Sequence, residues 1–267
     1  MTDRWRVQPG RKIDLDDFDP TSTSGAPGDR DATEAELPVL QGRLQDLQDR
    51  LWAEGRRSLL VVLQGLDASG KDGTIKHVFT GVNPQGARVA SFKEPTGEEL
   101  SHDFLWRVHY RVPRGGEIGI FNRSHYEDVL VARVDRLVDE DVWRPRFEHI
   151  NAFERLLAHG GTTMVKFFLH LSREEQGRRL RERLDQPNKR WKLSRSDFTE
   201  RGHWDGYQAA YGEVLTRTST DIAPWYVIPS DHRWFRNWAV SRTLVGVLEA
   251  MDPRYPEPPP LEDVTVT

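Results

Sequence analysis

The feature that most constrains this sequence is a short apolar run that leads directly into a glycine-containing loop. The run, Ser58 to Gln64, reads SLLVVLQ, a pattern typical of a strand that is buried on both faces. The loop, Gly65 to Lys71, has the form Gly-x-x-x-x-Gly-Lys, and a helix is predicted after it, from Thr74 to Val82. This order predicts an α/β fold with the loop at the carboxyl edge of a sheet.

The loop has the composition of an anion site. Glycines allow several backbone N–H groups to converge on one point, and the amino end of the following helix adds positive potential. Lys71 adds a full charge that suits phosphate oxygens, so the loop predicts phosphoryl transfer. The predicted phosphate-loop residues are Gly65, Ala68, Ser69, Gly70, Asp72, Gly73 and Thr74, in addition to Asp67 and Lys71.

One loop position departs from the common motif. Asp72 stands where Ser or Thr usually offers a hydroxyl to Mg²⁺. Phosphoryl transfer still needs a hard dication, so we expect Mg²⁺, with Mn²⁺ as a substitute, to bind the carboxylate of Asp67. The alternative for Asp67 is a helix cap or an Asx turn.

The rest of the sequence alternates between apolar runs and helical stretches. Further strands are predicted at 88–92, 117–121, 163–169 and 225–228, and further helices at 37–52, 98–111, 123–137, 141–159, 172–186, 204–220 and 232–251. Such alternation predicts right-handed crossovers and a mostly parallel sheet that is covered on both faces. The expected architecture is a three-layer α/β sandwich of the P-loop kinase type with a helical lid.

The ends of the chain differ from its middle. Residues 1–30 are polar and rich in Gly, Pro and Ser, which predicts an N-terminal arm that is flexible or draped over the domain, and residues 253–267 form a Pro-rich tail. The catalytic domain is therefore expected at 31–252.

Composition limits the partners of the chain. A net charge of −4 argues against nonspecific nucleic-acid binding, and the lack of cysteine excludes disulfides and thiolate metal sites. We find no run that resembles a signal peptide or a membrane span, so a cytoplasmic protein with no nucleic-acid or membrane partner is expected.

Polar residues follow the third predicted strand, at the sheet edge where α/β proteins bind ligands. Asn122 lies where related loops are paired with a metal-binding Asp, so Asp67, Glu127 or Asp128 is expected to carry the missing charge. Arg123 is predicted to stabilise the transferring group, and a structural ion pair with Glu127 or Asp128 is the alternative.

A basic segment covers residues from about 178 to 197. From Arg178 to Arg195 it has eight Lys or Arg residues and two acidic ones. Such a run is often a solvated helix face, but beside a phosphate loop we expect a cationic lid that excludes water. The residues predicted to contact a phosphate chain are Arg178, Arg183, Lys189 and Lys192.

Together these motifs resemble the family 2 polyphosphate kinases, and most of all their class III branch. The resemblance is carried by residues 65–78, 91–95, 102–107, 121–130, 189–194 and 218–229, and it spans roughly 35 to 252. It implies reversible, Mg²⁺-dependent transfer of the terminal phosphoryl group of inorganic polyphosphate to a nucleoside mono- or diphosphate, AMP or ADP. Asn122 in place of Asp is itself similar to class III.

The resemblance also implies roles for single residues. It assigns metal binding to Asp67, phosphate binding to Lys71 and Arg123, and lid functions to Arg183 and Asp197. Asn122 completes the catalytic set, and Lys93 joins the residues for the acceptor nucleotide or the lid. Glu127 is expected either to compensate at the metal or to position the acceptor. A homo-oligomer, dimer or tetramer, is also expected.

Two other functions remain open at this point. An ATP-dependent nucleoside monophosphate kinase uses the same loop and lid chemistry, and a non-catalytic nucleotide-binding module would need only the loop. A guanine-reading switch is disfavoured because Asn188-Lys189 is followed by Arg190-Trp191 and lacks the Asp of an Asn-Lys-x-Asp motif.

Overall fold

A computed structural model of the chain describes residues 2–192, 199 and 201–258. Within these residues five strands form one parallel sheet in the order β2-β3-β1-β4-β5. The strands are β1 (Ser58–Gln64), β2 (Ala87–Ser91), β3 (Ile118–Asn122), β4 (Thr162–His170) and β5 (Trp225–Pro229). The predicted α/β class and parallel sheet are confirmed.

Helices cover both faces of the sheet. They are α1 (Arg30–Glu54), α2 (Lys71–Val78), α3 (Gly97–Leu100), α4 (Trp106–His109), α5 (Val131–Val134), α6 (Glu140–Trp143), α7 (Arg146–His159), α8 (Arg173–Asp185), α9 (Trp204–Thr218) and α10 (Arg233–Met251). Short 3₁₀ segments lie at Thr2–Trp5, Leu15–Asp17, Pro84–Gly86, His125–Asp128 and Pro187–Lys192.

The central strand separates two apolar cores. All seven residues of β1 are buried, because β3 and β4 flank the strand and helices cover both of its faces. Leu60 and Val62 face the core that α7 and α9 cover, whereas Leu59 and Val61 face the core of α1 and α10. This explains why the run is apolar throughout rather than alternating.

The register of the sheet brings the predicted site residues to one edge. Leu63 of β1 pairs with Asn122 of β3, and Ser91 of β2 pairs with the same Asn122. The segments that leave these three strands therefore start side by side, which is where open parallel sheets bind ligands.

Two predicted helices are broken by local side-chain caps, and a third, 141–159, is divided into α6 and α7 at Arg144 and Pro145. The stretch 98–111 contains only α3 and α4, since Asp103 accepts a hydrogen bond from the Leu105 N–H at 2.9 Å and starts a new turn. The stretch 123–137 begins with Arg123 at φ 60° and continues as a 3₁₀ turn before α5. In both places local side-chain caps compete with a continuous helix.

The expectation of a flexible N-terminal arm is wrong for the part of the arm that packs on the domain. Trp5, Val7, Ile13 and Leu15 are buried in the two cores. The Val7 N–H donates to the Trp225 carbonyl at 2.9 Å. The apolar residues are few and widely spaced, so composition alone did not indicate that they anchor the segment.

The last described segment of the chain, at its C-terminal side, is irregular. Residues 252–258 follow α10 without regular structure. None of the helices in the described part of the chain combines the length and apolar character that crossing a bilayer requires.

Candidate active site

The glycine loop joins β1 to α2 in a conformation that needs its glycines. Gly65 has φ 148°, and a Cβ atom there would lie 2.8 Å from the Leu169 carbonyl oxygen. Gly70 has φ 106°, and its carbonyl accepts the Thr74 N–H at 2.8 Å to start α2. Ala68 also has a positive φ, of 65°, which makes the loop strongly curved. The amide groups of such a curve can converge on an anion.

Lys71 lies within the loop and not in solvent. Its side chain is buried, and the ammonium group donates to the Gly65 carbonyl at 2.6 Å and to the Leu66 carbonyl at 3.3 Å. The positive charge is therefore held against the loop backbone, where phosphate oxygens would meet it.

Arg123 connects the loop to the end of β3. Its Nη2 lies 2.7 Å from Oδ1 of Asp67, and its Nη1 lies 3.5 Å from Oε2 of Glu127. Glu127 also accepts a hydrogen bond from Gln64 Nε2 at 2.9 Å. The Arg123 N–H donates to the Leu63 carbonyl at 3.1 Å, which holds the residue in its left-handed conformation. The ion pair with Glu127, which was the alternative to a phosphate-binding role for Arg123, is present, and Asp67 is a second partner.

Asp128 does not join this group. Its carboxylate faces Arg146 at 3.5 Å and Arg107 at 3.9 Å. Burial raises the pKa of Asp128 above its ordinary value, against the opposing effect of the two arginines. Arg107 also donates to the Lys93 carbonyl at 2.8 Å, so Asp128 helps to anchor the segment of Lys93.

The two substituted motif positions contact each other. Asn122 Nδ2 donates to Asp72 Oδ1 at 2.7 Å. The residue that replaces the usual hydroxyl ligand is thus paired with the residue that replaces the usual metal-binding Asp. Lys93 follows β2 at the same sheet edge, and its side chain is exposed.

The basic segment is only partly available for a polyanion. Arg178 pairs with Glu175 at 2.6 Å and with Glu182 at 3.6 Å, which raises its pKa chiefly through the hydrogen bonds to Glu175. Arg183 lies half-buried near the end of α8. Lys189 and Lys192 belong to the 3₁₀ segment Pro187–Lys192, and Asp197 lies outside the described residues.

Two buried arginines contact the loop from behind, and the sequence did not indicate them. Arg179 of α8 donates to the Ala68 and Ser69 carbonyls, and Arg236 of α10 donates to the Ser69 carbonyl. The helical spacing of Gln176, Arg179 and Leu180, which share a buried face, is the one signal that could have separated Arg179 from the exposed basic run. No comparable local signal marks Arg236.

A buried ionic cluster contacts the segment that follows β3. Lys166 of β4 donates to Glu154 at 2.6 Å, to the Tyr126 hydroxyl at 2.8 Å and to the Thr218 carbonyl at 2.8 Å. Burial alone would raise the pKa of Glu154, but the charge of Lys166 and the contact with His125 hold it below its ordinary value. Tyr126 belongs to the 3₁₀ turn that follows Arg123, so the cluster fixes that turn.

The oxygen donors of the site suit a dication whose ligands come partly from the protein and partly from the substrate. No group of three or more His, Asp or Glu side chains within the described residues is arranged to hold a metal by itself. Asp67 and Glu127, on either side of Arg123, are hard oxygen donors next to the loop. Mg²⁺ in phosphoryl-transfer sites commonly has one or two carboxylates and completes its shell with phosphate oxygens and water. The residues fit that mode.

Comparison with known proteins gives a consistent result. Residues 28–256 match the family model described as Polyphosphate kinase 2. The chain is 56% identical over 255 residues to an AMP/ADP-polyphosphate phosphotransferase of Meiothermus ruber, covering 96% of each chain. It is 42% identical to an ADP-polyphosphate phosphotransferase of Rhodopseudomonas palustris, covering 97% of this chain and 93% of that one. The crystal structure of polyphosphate kinase 2 from Arthrobacter aurescens matches with a TM-score of 0.92 at 42% identity, covering 98% and 92% of the two chains.

Proposed function

Because the chain belongs to the polyphosphate kinase 2 family, we propose that it transfers the terminal phosphoryl group of inorganic polyphosphate to AMP and to ADP. The relative from Meiothermus ruber is named for both acceptors, and the match covers almost the whole of both chains. The observation that carries the proposal is the meeting of Arg123 and Asp67 at 2.7 Å beside the glycine loop. A phosphate-binding loop, a carboxylate and a guanidinium are the parts that an in-line phosphoryl transfer requires.

Each part has a distinct task in the reaction. The loop amides and Lys71 bind phosphate oxygens, and Arg123 presents two N–H groups to the equatorial oxygens of the group in transfer. An oxygen of the acceptor phosphate attacks the terminal phosphorus, and the bond to the bridging oxygen of polyphosphate breaks. The shortened polyphosphate leaves with the bridging oxygen and its electron pair.

The proposal includes Mg²⁺, with Mn²⁺ as a substitute. The carboxylate of Asp67 is the proposed protein ligand, and Glu127 is a second donor on the other side of Arg123. The dication supplies charge neutralisation for the phosphate oxygens. The reaction is proposed to be reversible, since with either acceptor it exchanges one phosphoanhydride bond for another.

A basic lid is the third part of the proposal. Arg183, Lys189 and Lys192 are proposed to contact polyphosphate, and Asp197 to act within the lid, on the strength of the sequence resemblance. Arg178 is a weaker candidate, because its guanidinium already faces two carboxylates. Lys93 is proposed for the acceptor side, since it follows the strand next to Arg123.

A direct assay tests the function. The purified chain is incubated with Mg²⁺, polyphosphate and either AMP or ADP, and the nucleotides are separated by chromatography. ADP and ATP are the expected products from AMP, and ATP from ADP. Efficient reaction of ATP with AMP in the absence of polyphosphate, together with no product from polyphosphate, would favour a nucleoside monophosphate kinase. No product from any pair would leave only a binding module.

The number of subunits stays a prediction. A dimer or tetramer is proposed, and light scattering coupled to gel filtration measures it directly. A monomer at enzyme concentrations used in the assay would contradict this part of the proposal without affecting the chemistry.

A further inference from the structure

Two guanidinium groups from different helices meet behind the phosphate loop. Arg179 Nη1 donates to the Ala68 carbonyl at 3.0 Å and to the Ser69 carbonyl at 3.1 Å. Arg236 Nη1 donates to the same Ser69 carbonyl at 3.1 Å. Both side chains are buried, with 4% and 2% of their surface exposed, so neither is a surface group that happens to touch the loop.

The shared carbonyl fixes the orientation of one peptide group. In a trans peptide the N–H and C=O bonds are antiparallel, so holding the Ser69 carbonyl toward the arginines turns the Gly70 N–H to the opposite side. A glycine loop that leads into a helix turns its amide groups to the side on which an anion binds. An N–H group in this position is the kind that binds a phosphate oxygen.

The fit between Arg236 and the loop is tight. A Cβ atom built on Gly70 would lie 1.8 Å from Arg236 Nη1, and one built on Gly73 would lie 3.4 Å from Nη2. Gly70 therefore serves two purposes, because it permits a φ of 106° and also makes room for the guanidinium. The loop and Arg236 have complementary shapes.

The charge of Arg236 has no carboxylate partner within the described residues. Its Nη2 donates to Asn237 Oδ1 at 2.9 Å, and its remaining contact is the loop carbonyl. Burial, and then the nearby charges of Arg179 and Arg233, lower the pKa of Arg236 to about 9. Arg179 differs, since Glu175 accepts from its Nε at 2.7 Å. A buried and unpaired positive charge is unfavourable by itself and favourable next to a bound polyanion.

We propose that Arg179 and Arg236 are positioning residues for phosphate binding, which orient the Gly70 N–H by holding the Ser69 carbonyl, while Arg236 places an unpaired charge behind the loop. This rests on the proposed function in one respect only, namely that the loop binds phosphate. Neither arginine touches the reacting atoms.

The test compares Arg236→Met with Arg233→Met. Arg233 lies on the same helix and adds to the same local field, but it faces Glu182 at 2.9 Å and not the loop. Binding of inorganic tripolyphosphate to the full chain is measured by calorimetry without nucleotide, and the melting temperature is measured without ligand. Arg236→Met is expected to weaken binding about tenfold or more, and Arg233→Met to change it less than about twofold.

The stability measurement separates a positioning role from a structural one. Removal of an unpaired buried charge is expected to leave the melting temperature of ligand-free Arg236→Met equal to or above that of the wild type. A folded Arg236→Met variant that binds tripolyphosphate as tightly as the wild type would overturn the proposal. If that variant does not fold, Arg236→Lys replaces it, with binding expected to weaken about threefold because one ammonium group makes fewer directed bonds than the guanidinium. Unchanged binding by a folded Arg236→Lys would equally overturn it.

Failure of the proposed function gives a different result. A wild-type chain that binds tripolyphosphate but transfers no phosphoryl group disproves the enzymatic proposal and leaves the positioning inference intact. If the wild-type chain is active and Arg236→Met binds tripolyphosphate with unchanged affinity, the enzymatic proposal stands and the positioning inference is disproved.

Discussion

Asp67 and Arg123 form an ion pair across the mouth of the phosphate loop, with Arg123 Nη2 2.7 Å from Asp67 Oδ1. The proposed metal ligand and the proposed phosphate ligand are therefore counter-ions of each other. A dication held by Asp67 would neutralise that carboxylate, and the Arg123 guanidinium could then face a bound phosphate. Substrate and metal are in this way expected to bind cooperatively.

The first prediction concerns which loop carboxylate binds the metal. Asp67→Asn is expected to raise the half-saturating Mg²⁺ concentration and to lower kcat about tenfold or more, because the amide keeps the shape and loses the charge. Asp72→Asn is the matched control, since Asp72 is hydrogen-bonded to Asn122 at 2.7 Å and is exposed. Activity titrated with Mg²⁺ distinguishes the two variants. A larger shift for Asp72→Asn would transfer the metal assignment to that residue.

The second prediction concerns the buried ammonium of the loop. Lys71→Met is expected to lower kcat about 100-fold to 1,000-fold, the loss typical of removing one charged group that stabilises the transition state. Lys76→Met changes an exposed lysine of the same helix and is expected to retain nearly full activity. Circular dichroism of both variants checks the fold. Near-normal turnover by a folded Lys71→Met variant would contradict the role of the loop.

The third prediction distinguishes the lysines of the basic segment from its paired arginine. Replacing both Lys189 and Lys192 by Ala is expected to raise the KM for polyphosphate more than the KM for nucleotide, because a lid meets the longer anion. Arg178→Ala is expected to have a smaller effect, since Glu175 and Glu182 already take up its charge. Steady-state kinetics with each substrate varied in turn measures this. Equal increases in both KM values would argue against a lid specific for polyphosphate.

The fourth prediction concerns the buried pair of Lys166 and Glu154. Lys166→Met leaves the Glu154 carboxylate buried without its cation and is expected to lower the free energy of unfolding by about 3–5 kcal/mol. Adding Glu154→Gln to this variant is expected to restore most of the lost free energy of unfolding. Arg30→Met, which removes an exposed ion pair with Glu34, is expected to cost less than about 1 kcal/mol. Denaturant titration of the four chains gives these values.

The same pair predicts an acid dependence of stability. Glu154 has its pKa lowered in the folded chain, so the unfolded chain binds more protons once the pH falls toward the ordinary value of 4.5. The contribution of Glu154 is thus fully present above that pH and is lost as the pH falls through the lowered folded value. The Lys166→Met, Glu154→Gln chain is expected to show a shallower loss of stability in acid. An identical acid profile would exclude Glu154 as its source.

Much of the fold could be predicted because the informative signals are local. The run at 58–64 is apolar at nearly every position, and such a run next to a glycine loop has few structural solutions. The short helices α3, α4 and α5 were predicted as parts of longer ones, since their ends depend on caps such as Asp103 that a periodicity argument does not weigh.

Only the residues of the candidate site that lie in sequence motifs could be predicted. Asp67, Lys71 and Arg123 lie in motifs whose residue types fit phosphate chemistry, and the sheet register brings them together. Arg236 contacts the loop from 167 residues away in sequence, and Lys166 stands within an apolar strand. Long-range partners of this kind follow from the packing of separate elements, which no sequence window contains.

The N-terminal arm lies along β5, an outer strand of the sheet. Arg6 forms an antiparallel bridge with Tyr226 of β5, and the Val7 N–H donates a hydrogen bond to the Trp225 carbonyl. An unpaired outer strand is a template on which other chains can add a strand and start an aggregate. By lying along β5, the arm occupies that template from within the same chain. A few residues outside the catalytic motifs thereby cover one of the two outer strands of the sheet.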